Sequence, residues 1–391
     1  MKIEDVDLFY LSMPEVTDEA DGSQDALLVR VSAGGFVGWG ECEAAPLPSI
    51  AAFVCPKSHG VCRPVGESVI GQKLNDPADI ARISALVGYN SMDLLQAPHI
   101  LSGIEMALWD LLGRKLGEPV WHILGYDHSC AKTPYASLLF GDTPQTTLER
   151  ARRAVKDGFS AAKFGWGPIG RGDARSDADQ FAAAREGLGR EADLMVDVGQ
   201  IFGDNIAAAG ERLPSLDEAS VLWLEEPFHA GALAAYRALS EKGAKVRMAG
   251  GEAAHNFHMA AHLLEYANIG FVQIDCGRIG GIGPAKRVAD LAVAQGATYV
   301  NHTFTSHLAL SASMQPFAGL ADSRICEYPA ALKPLAVAIT TNQIQRDGNG
   351  YICAPEAPGL GMEVNVSGIA SYLVDTEIRV GGKLLYKTPA L

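Results

Sequence analysis

The sequence predicts an α/β fold, a (β/α) barrel of the modified TIM type preceded by an N-terminal α+β domain. Length is the first observation, because 391 residues suffice for one large barrel with an addition or for two ordinary domains. The second is a rhythm of short apolar strand, turn and amphipathic helix that begins near residue 133. This rhythm repeats eight times, which favours a closed barrel with its catalytic groups at the carboxyl ends of the strands.

The N-terminal domain is expected to span residues 1–130. Strand-like runs such as DALLVRVSA and FVGWGE alternate there with turns, and loops rich in Pro, Gly, Ser and Ala are expected at residues 14–25 and 43–66. The segment SGIEMALWDLLGRKLGEP then has helical periodicity and stops at Gly117 and Pro119. Its apolar face is predicted to be buried and comprises Ile104, Ala107, Leu108, Leu111 and Leu112.

The barrel domain is expected to span residues 131–360. Its eight candidate strands read TPYASL, SAAKFG, DLMVDV, VLWLEE, VRMAGGE, GFVQID, ATYVN and RICEY. Amphipathic segments such as TLERARRAVKDG and GPAKRVADLAVAQG separate them, which is typical of a parallel sheet. The remaining residues, 361–391, end in the strand-like run IRVGGKLLY. We expect this tail to pack back on the N-terminal domain.

The composition is that of a soluble globular protein with an acidic surface. Hydrophobic residues make up 48% of the chain and charged residues 20%, and no apolar run reaches the length of a membrane span. The net charge of −14 opposes binding to nucleic acid or to anionic membranes, because both depend on clustered Lys and Arg. An anionic substrate would therefore need a local cation to receive it.

A cytoplasmic location is expected from the first residues and from the cysteines. MKIEDVDLFYLSMPE carries acids inside an apolar alternation, which suits a first β-strand and not a signal peptide. The seven cysteines are scattered with no CxxC pair, which argues against a disulfide framework. Cys55, His59 and Cys62 lie close together, but a structural zinc needs four ligands and no second pair follows at zinc-finger spacing.

Polar residues follow the predicted strands at the spacing of one βα unit. Successive members of this series are 23 to 34 residues apart. A barrel closed in this order would direct all of their side chains into one mouth. The series comprises Lys163, Asp197, Glu225, Glu252, Asp275, His302 and Glu327.

Asp197, Glu225 and Glu252 are the predicted metal ligands. Mg²⁺ prefers oxygen ligands and keeps open positions for substrate, so carboxylates on three consecutive strands suit it. Any one of them alone would more often be a surface acid or an ion-pair partner. Three in register on apolar strands favour a metal site.

His302 and Asp275 are the predicted proton-transfer groups, and Lys163 is the predicted cation beside them. A proton next to a carboxylate is weakly acidic, so its removal at neutral pH needs nearby positive charge, which the metal and Lys163 can supply. A base poised near neutrality is also needed, and His302 with Asp275 one strand earlier resembles an imidazole oriented by a carboxylate.

The chain resembles the mandelate racemase subgroup of the enolase superfamily across essentially its full length. Each matching segment is a weak signal alone, but their order along the chain makes the set highly specific. The segments are GWGE at residues 38–41, ALWDLLGRKLGEP, MVDVGQ with Asp197, WLEEP with Glu225, GGE with Glu252, QID before GRIGG with Asp275, His302, Glu327 and PGLGMEV.

The resemblance implies a role for each of these residues. It makes the three carboxylates Mg²⁺ ligands, the His302 and Asp275 dyad a general acid/base, and Glu327 a donor or electrophile near the substrate carboxylate. Lys163 resembles the group that binds this carboxylate or a metal-bound oxygen. The resemblance further implies an N-terminal domain that caps the barrel, two cap loops that select the substrate, and a homo-oligomer, commonly a dimer or an octamer.

Two positions depart from the pattern of that family. Its second barrel strand usually carries Lys-x-Lys, whose second lysine is a base on the opposite face of the substrate, but here the run is Lys163, Phe164, Gly165. The asparagine that usually follows the first metal ligand by two residues is replaced by Gly199. Either Gln200 or Trp166 is a candidate to replace the lost substrate contact.

The missing lysine bears on the reaction. A racemase or epimerase with two bases needs one on each face, whereas a dehydratase can use a single base that removes the proton and then helps to expel the 3-hydroxyl. We therefore expect dehydration of a sugar acid, an aldonate or aldarate with R configuration at C2, to a 2-keto-3-deoxy acid. Cycloisomerisation of a sugar lactone or anhydro acid is the main alternative, and a sugar-acid binder without turnover is a distant one.

Three further sequence patterns could indicate ligand contacts, but each also has an ordinary structural explanation. Gly165, Gly167 and Gly170 form a GxGxxG, but the residues that follow delay any helix and weaken a dinucleotide site. A second group begins a helix and could bind phosphate there, although tight turns explain it better; this group is Gly280, Gly281 and Gly283. A third set follows two strands and could contact substrate; it comprises His255, Ser306 and His307.

Overall fold

The N-terminal part of the chain is an antiparallel sheet covered by helices. The computed structural model describes residues 1–17, 24–43 and 45–391. The sheet has the order β1-β2-β3, with strands Ile3–Leu11, Ala26–Ala33 and Phe36–Cys42. Five helices follow, namely α1 Pro46–Val54, α2 Val65–Val69, α3 Pro77–Asn90, α4 Ala97–Leu116 and α5 Val120–Ile123.

The loop expected at residues 43–66 is partly helical, and this part of the prediction was wrong. Helix α1 begins with Pro46, which the first turn of a helix tolerates because its amide needs no partner there. Ile50 and Phe53 then bury one face of the helix, and this burial offsets the weak propensity of the segment. Residues 18–23 of the loop expected at 14–25, and residue 44, lie outside the described residues.

Helix α4 is buried around nearly its whole circumference. It begins at Ala97, five residues before the segment in which the periodicity was clear, and Gly117 ends it in a left-handed conformation. The helix lies directly on β3, because Gly38 and Gly40 leave no side chain between the two backbones. A Cβ at either glycine would overlap with the carbonyl oxygens of the helix. The GWG segment thus sets how closely the two elements pack.

Eight parallel strands form the barrel, as the sequence predicts. Their hydrogen-bonded order is β10-β9-β8-β7-β6-β5-β4-β11, and contacts between β10 and β11 nearly close the ring. Each predicted strand overlaps an observed one. The strands are β4 Thr133–Leu139, β5 Ala161–Gly165, β6 Asp193–Asp197, β7 Val221–Glu225, β8 Arg247–Gly250, β9 Phe271–Ile274, β10 Thr298–Asn301 and β11 Ile325–Tyr328.

Helices surround this ring and link its strands. They are α6 Pro144–Lys156, α7 Ala174–Leu188, α8 Ile206–Gly210, α9 Leu213–Glu218, α10 Leu233–Ser240, α11 Phe257–Tyr266, α12 Ile282–Gln295, α13 His307–Met314, α14 Pro334–Ala338 and α15 Val366–Ile369, with 3₁₀ turns at Gln315–Phe317 and Ala370–Tyr372. Among the residues described, no helix is long and apolar enough to cross a bilayer.

The tail forms a hairpin of β12 Glu377–Val380 and β13 Lys383–Lys387 that contacts the N-terminal sheet. The Tyr386 hydroxyl donates to the backbone carbonyl of Leu8 at 2.7 Å, and the Val374 amide donates to that of Tyr10. The tail and the first strand therefore lie together, in keeping with the expected packing.

One residue from each strand forms an apolar layer across the barrel interior. Side chains alternate along a strand, so the next inward position lies two residues further toward the carboxyl end. In β5, β6, β7, β10 and β11 that next position is one of the predicted site residues. The apolar layer comprises Tyr135, Ala161, Met195, Trp223, Ala249, Phe271, Val300 and Ile325. The site is therefore a polar layer resting on a packed apolar one.

Candidate active site

The three predicted metal ligands meet at the carboxyl ends of β6, β7 and β8. One oxygen from each of Asp197, Glu225 and Glu252 lies within 4.8 Å of the other two, and all three residues are buried. Buried carboxylates this close repel one another unless positive charge is present. The donor set consists of oxygen atoms alone and so fits Mg²⁺.

Lys163 lies beside this triad and partly neutralises it. Its ammonium is 2.7 Å from Glu225 Oε1, 3.4 Å from Asp197 Oδ2 and 3.3 Å from Glu327 Oε1. Burial lowers the pKa of Lys163, but these carboxylates outweigh that effect and raise it well above its usual range. The lysine is therefore a permanent cation on the floor of the site.

His302 and Asp275 form the predicted dyad. Nδ1 of His302 lies 2.8 Å from Asp275 Oδ2 and Nε2 lies 3.1 Å from Glu252 Oε2. The Gly277 amide donates to Asp275 Oδ1 at 2.6 Å and fixes the orientation of that carboxylate. Burial alone would lower the pKa of His302, but Glu252, Asp275 and Glu327 raise it to about 10. With Nδ1 held by Asp275, Nε2 is the nitrogen that faces the carboxylate triad. A pKa of about 10 keeps the imidazole protonated near neutral pH, which differs from the base poised near neutrality that the sequence predicts.

Glu327 is held as an ionised carboxylate. The Thr303 amide donates to its Oε2 at 2.7 Å, while Oε1 has no hydrogen-bond donor among the described residues and approaches Lys163. Burial raises the pKa of Glu327, but Lys163 and His302 lower it to about 2. In this arrangement the residue accepts hydrogen bonds, and its role as a donor stays a prediction.

Arg278 joins the site to the N-terminal domain, and the sequence reasoning missed it. Its Nε is 2.8 Å from Glu43 Oε2, its Nη1 is 3.2 Å from Glu252 Oε1, and Asp275 Oδ2 is 3.8 Å away. A signal was present, since Arg278 follows Asp275 by three residues and Glu43 follows the GWGE segment by two. The two residues are far apart along the chain, so the sequence alone did not indicate that they form a pair.

A second link across the same junction connects Glu41 and Ser306. The Ser306 hydroxyl donates to Glu41 Oε2 and also accepts from two amides at the start of α13. Burial, the largest influence, raises the pKa of Glu41 to about 7. Ser306 is thus a helix cap and a link between domains. Of the other two candidates in its set, His255 binds His99 at 2.9 Å and His307 accepts from the Ile344 amide.

A cavity of about 430 Å³ lies above these residues, between the barrel mouth and the N-terminal domain. Its volume is within the range of small-molecule sites. Lys163, Asp197, His302 and Glu327 form its floor. Thr17, Gln24, Asp25 and Glu41 line its upper side.

Trp166 lies where the chain departs from the family pattern. It lines the cavity, has a positive φ of 57° and places its indole only 2.7 Å from where a Cβ at Gly199 would be. Gln200 instead donates to Glu226 Oε2 at 2.8 Å. Of the two candidates for the lost substrate contact, Trp166 is therefore the one at the cavity. Gly165 also lines the cavity beside Trp166 and adds no side chain there.

The alternative ligand sites find no support in the structure. His59 pairs with Asp93, and among the described residues the carboxylate triad is the only group of three or more possible metal ligands. The Glu105 carboxylate already occupies the start of α12, where it accepts from the Ile282 and Gly283 amides. The GxGxxG segment leads into a loop, because α7 begins only at Ala174.

Comparisons with known proteins agree with this geometry. Residues 146–368 match the model of the enolase C-terminal domain-like family, and residues 14–125 match that of the mandelate racemase / muconate lactonizing enzyme N-terminal domain. The D-galactarolactone cycloisomerase of Agrobacterium fabrum is 28% identical over 86% of this chain and 88% of its own. The D-gluconate dehydratase of Thermoproteus tenax is 27% identical over 93% of this chain and 73% of its own.

A solved structure is much more similar in sequence. A Rhodobacter sphaeroides protein described as a predicted mandelate racemase is 74% identical, covers 99% of both chains and superposes with a TM-score of 0.97.

Proposed function

Since the chain belongs to the mandelate racemase subgroup of the enolase superfamily, we propose that it removes the proton next to the carboxylate of a sugar acid and then dehydrates that acid. The observation that carries this proposal is the placement of His302 Nε2 beside the carboxylate triad, with Nδ1 held by Asp275. His302, Lys163 and the candidate ligand Asp197 then share one end of a single cavity.

Asp197, Glu225 and Glu252 would hold Mg²⁺, which when bound supplies a Lewis acid that stabilises negative charge on the substrate carboxylate. Lys163 adds a fixed positive charge on the same side. In its neutral form His302 takes the C2 proton on Nε2, and Asp275 stabilises the imidazolium that results. The imidazolium returns this proton to the departing 3-hydroxyl, so water leaves and the enol becomes a 2-keto-3-deoxy acid.

Relatives of the chain include dehydratases and cycloisomerases that act on sugar acids or their lactones. Cycloisomerisation is the second candidate, because it too needs only one base and Gly165 stands where the family pattern has its second lysine. A racemase or epimerase would need a base on the face where Gly165 and Trp166 lie. A homo-oligomer, Mg²⁺ as the metal and a cytoplasmic location stay predictions.

The test is to incubate the Mg²⁺-loaded protein with a panel of aldonic and aldaric acids in D₂O. Exchange of the C2 proton together with a 2-keto-3-deoxy product supports dehydration. Exchange with an isomeric product of unchanged mass would favour cycloisomerisation. Binding without exchange for every acid and lactone would identify a binder and overturn the proposal.

A further inference from the structure

Two cations line the cavity away from its floor. Arg150 on α6 and Lys333, which precedes α14, border the same cavity as Lys163 and His302. Arg150 Nη1 donates to the backbone carbonyls of Leu139 at 2.8 Å and Phe140 at 3.0 Å. These bonds hold the guanidinium at the carboxyl end of β4 and leave its other donors available.

The two cations lie across the barrel mouth from Glu225 and Glu252, the ligands on β7 and β8. Arg150 is held at the end of β4 and Lys333 follows β11, and these strands are neighbours. In the nearly closed ring β4 stands four places from β8 and three from β7, and β11 stands four places from β7 and three from β8, whereas β6 with Asp197 is only two places from β4. Four places in a ring of eight is the opposite side. A substrate whose reacting carboxylate lies at the triad can therefore extend across the mouth toward Arg150 and Lys333.

Among the residues that the structure describes, no carboxylate along the cavity pairs with these two cations. Lys163 is surrounded by three carboxylates. Within residues 1–17, 24–43 and 45–391, neither Arg150 nor Lys333 is in an ion pair. Asp25 accepts from the Tyr10 hydroxyl and a backbone amide instead. In a chain with a net charge of −14, these two cations are positive groups at the mouth that can receive an anionic group of a substrate.

We propose that Arg150 and Lys333 form a subsite for a second carboxylate, so that the substrates are hydroxy diacids of the aldaric class. This inference rests on the proposed function, because it takes the triad and Lys163 as the place of the reacting carboxylate. Arginine suits the role, since its planar guanidinium binds a carboxylate through two parallel hydrogen bonds. The cavity volume of about 430 Å³ can hold a six-carbon chain.

The test compares acids that differ only at C6, namely galactarate with galactonate and glucarate with gluconate. We expect the diacid of a pair to have a KM about tenfold lower, the value of one charge-assisted contact. Arg150→Gln and Lys333→Gln should each raise the KM for the diacid about tenfold, with kcat and the KM for the monoacid little changed. Arg150→Lys should retain part of the preference.

Arg152→Gln is the matched control. It removes the same charge from the same helix, but Arg152 pairs with Glu186 on the exposed side and does not line the cavity. The KM for both acids should be unaffected. If Arg150→Gln and Lys333→Gln instead raise the KM for the diacid and the monoacid equally, the two residues have only a structural role at the barrel mouth. The proposal is then wrong.

Two more measurements separate the remaining outcomes. A preference for 6-phosphogluconate over every diacid, lost in the same variants, would assign the subsite to phosphate and overturn the carboxylate proposal. Calorimetry with Mg²⁺ and each acid tests the subsite without turnover. If no acid exchanges its C2 proton but the tighter binding of diacids disappears in Arg150→Gln, the proposed function fails and the subsite stands. Equal binding of diacid and monoacid would reject the subsite.

Discussion

The indole of Trp166 lies over the backbone of Gly199, in the space that a side chain at position 199 would need. The two departures from the family pattern are therefore one structural feature. Loss of the side chain at 199 makes room for the indole, and Gly165 removes the lysine that would face it. A flat aromatic wall stands where related enzymes carry a base.

This wall predicts a strict stereochemical outcome. In the proposed mechanism His302 Nε2 is the single base, so exchange in D₂O should occur with sugar acids of R configuration at C2. S epimers such as D-mannonate should bind without reacting, and epimerisation at C2 should be negligible. Proton NMR of paired C2 epimers measures this directly. Equal exchange from both would reveal a second base.

The carboxylate triad predicts a strict metal requirement. Asp197→Asn, Glu225→Gln and Glu252→Gln should each lose turnover by orders of magnitude and weaken Mg²⁺ binding in calorimetry, because each removes one oxygen ligand. The folded state should persist in every variant, since a catalytic metal does not hold the barrel together. Full activity after exhaustive chelation would contradict this assignment.

The dyad predicts a graded effect of two substitutions. His302→Asn should abolish C2 proton exchange while substrate binding stays measurable through Lys163 and the metal. Asp275→Asn should lower exchange by a smaller factor, within the roughly 10²- to 10⁴-fold that a positioned base contributes. It misorients the imidazole without removing it. Exchange at the native rate in His302→Asn would require another base.

The contact of Glu43 with Arg278 predicts coupling between domain packing and the site. Glu43→Gln and Arg278→Gln should each lower the free energy of unfolding by about 3 kcal/mol, because each removes one charge from a buried ion pair. The loss of unfolding free energy in the double variant should be smaller than the sum of the losses in the two single variants. Arg82→Gln, which breaks an exposed pair with Asp79, is the control and should cost less than about 1 kcal/mol. Additive losses would show that the two residues act separately.

His99 predicts a pH dependence of stability. Burial and the nearby His255 lower its pKa to about 4, with Arg278 and Asp275 as the other charges that act on it. Between the ordinary histidine pKa near 6.5 and about 4, the unfolded chain binds a proton that the folded chain excludes, so this contribution to stability falls as pH falls.

His99→Gln isolates that contribution. Denaturant unfolding at several pH values between 4.5 and 6.5 should show a pH slope shallower by up to about one proton than in the parent chain. Identical slopes would mean that His99 stays neutral or is exposed in both states.

The sequence predicts the barrel and the inward positions of its polar residues well because both follow from local patterns. Alternation along each strand identifies Lys163, Asp197, Glu225, His302 and Glu327 as inward residues one step above the apolar layer. Residue pairs that form across the domain junction cannot be predicted in this way. Glu43 and Arg278 are 235 residues apart, and only the folded chain brings them together.

Trp166 shows a second kind of difficulty. Its left-handed backbone and its position over Gly199 depend on the absence of two side chains in neighbouring strands. The absence of two side chains produces no periodic signal in the sequence from which such a contact could be predicted. The sequence could therefore name Trp166 as one of two candidates without choosing between them.

The Glu105 carboxylate at the start of α12 restricts how this protein can be recombined with its relatives. Its two amide contacts and the bare backbone of Gly281 fit together, since a side chain at 281 would overlap with the carboxylate. A cap grafted from another enzyme would need an acid at the same helical position, and the receiving barrel would need its glycine. Chimeras that change substrate preference should therefore exchange only the loops and keep α4 as a fixed part of the barrel.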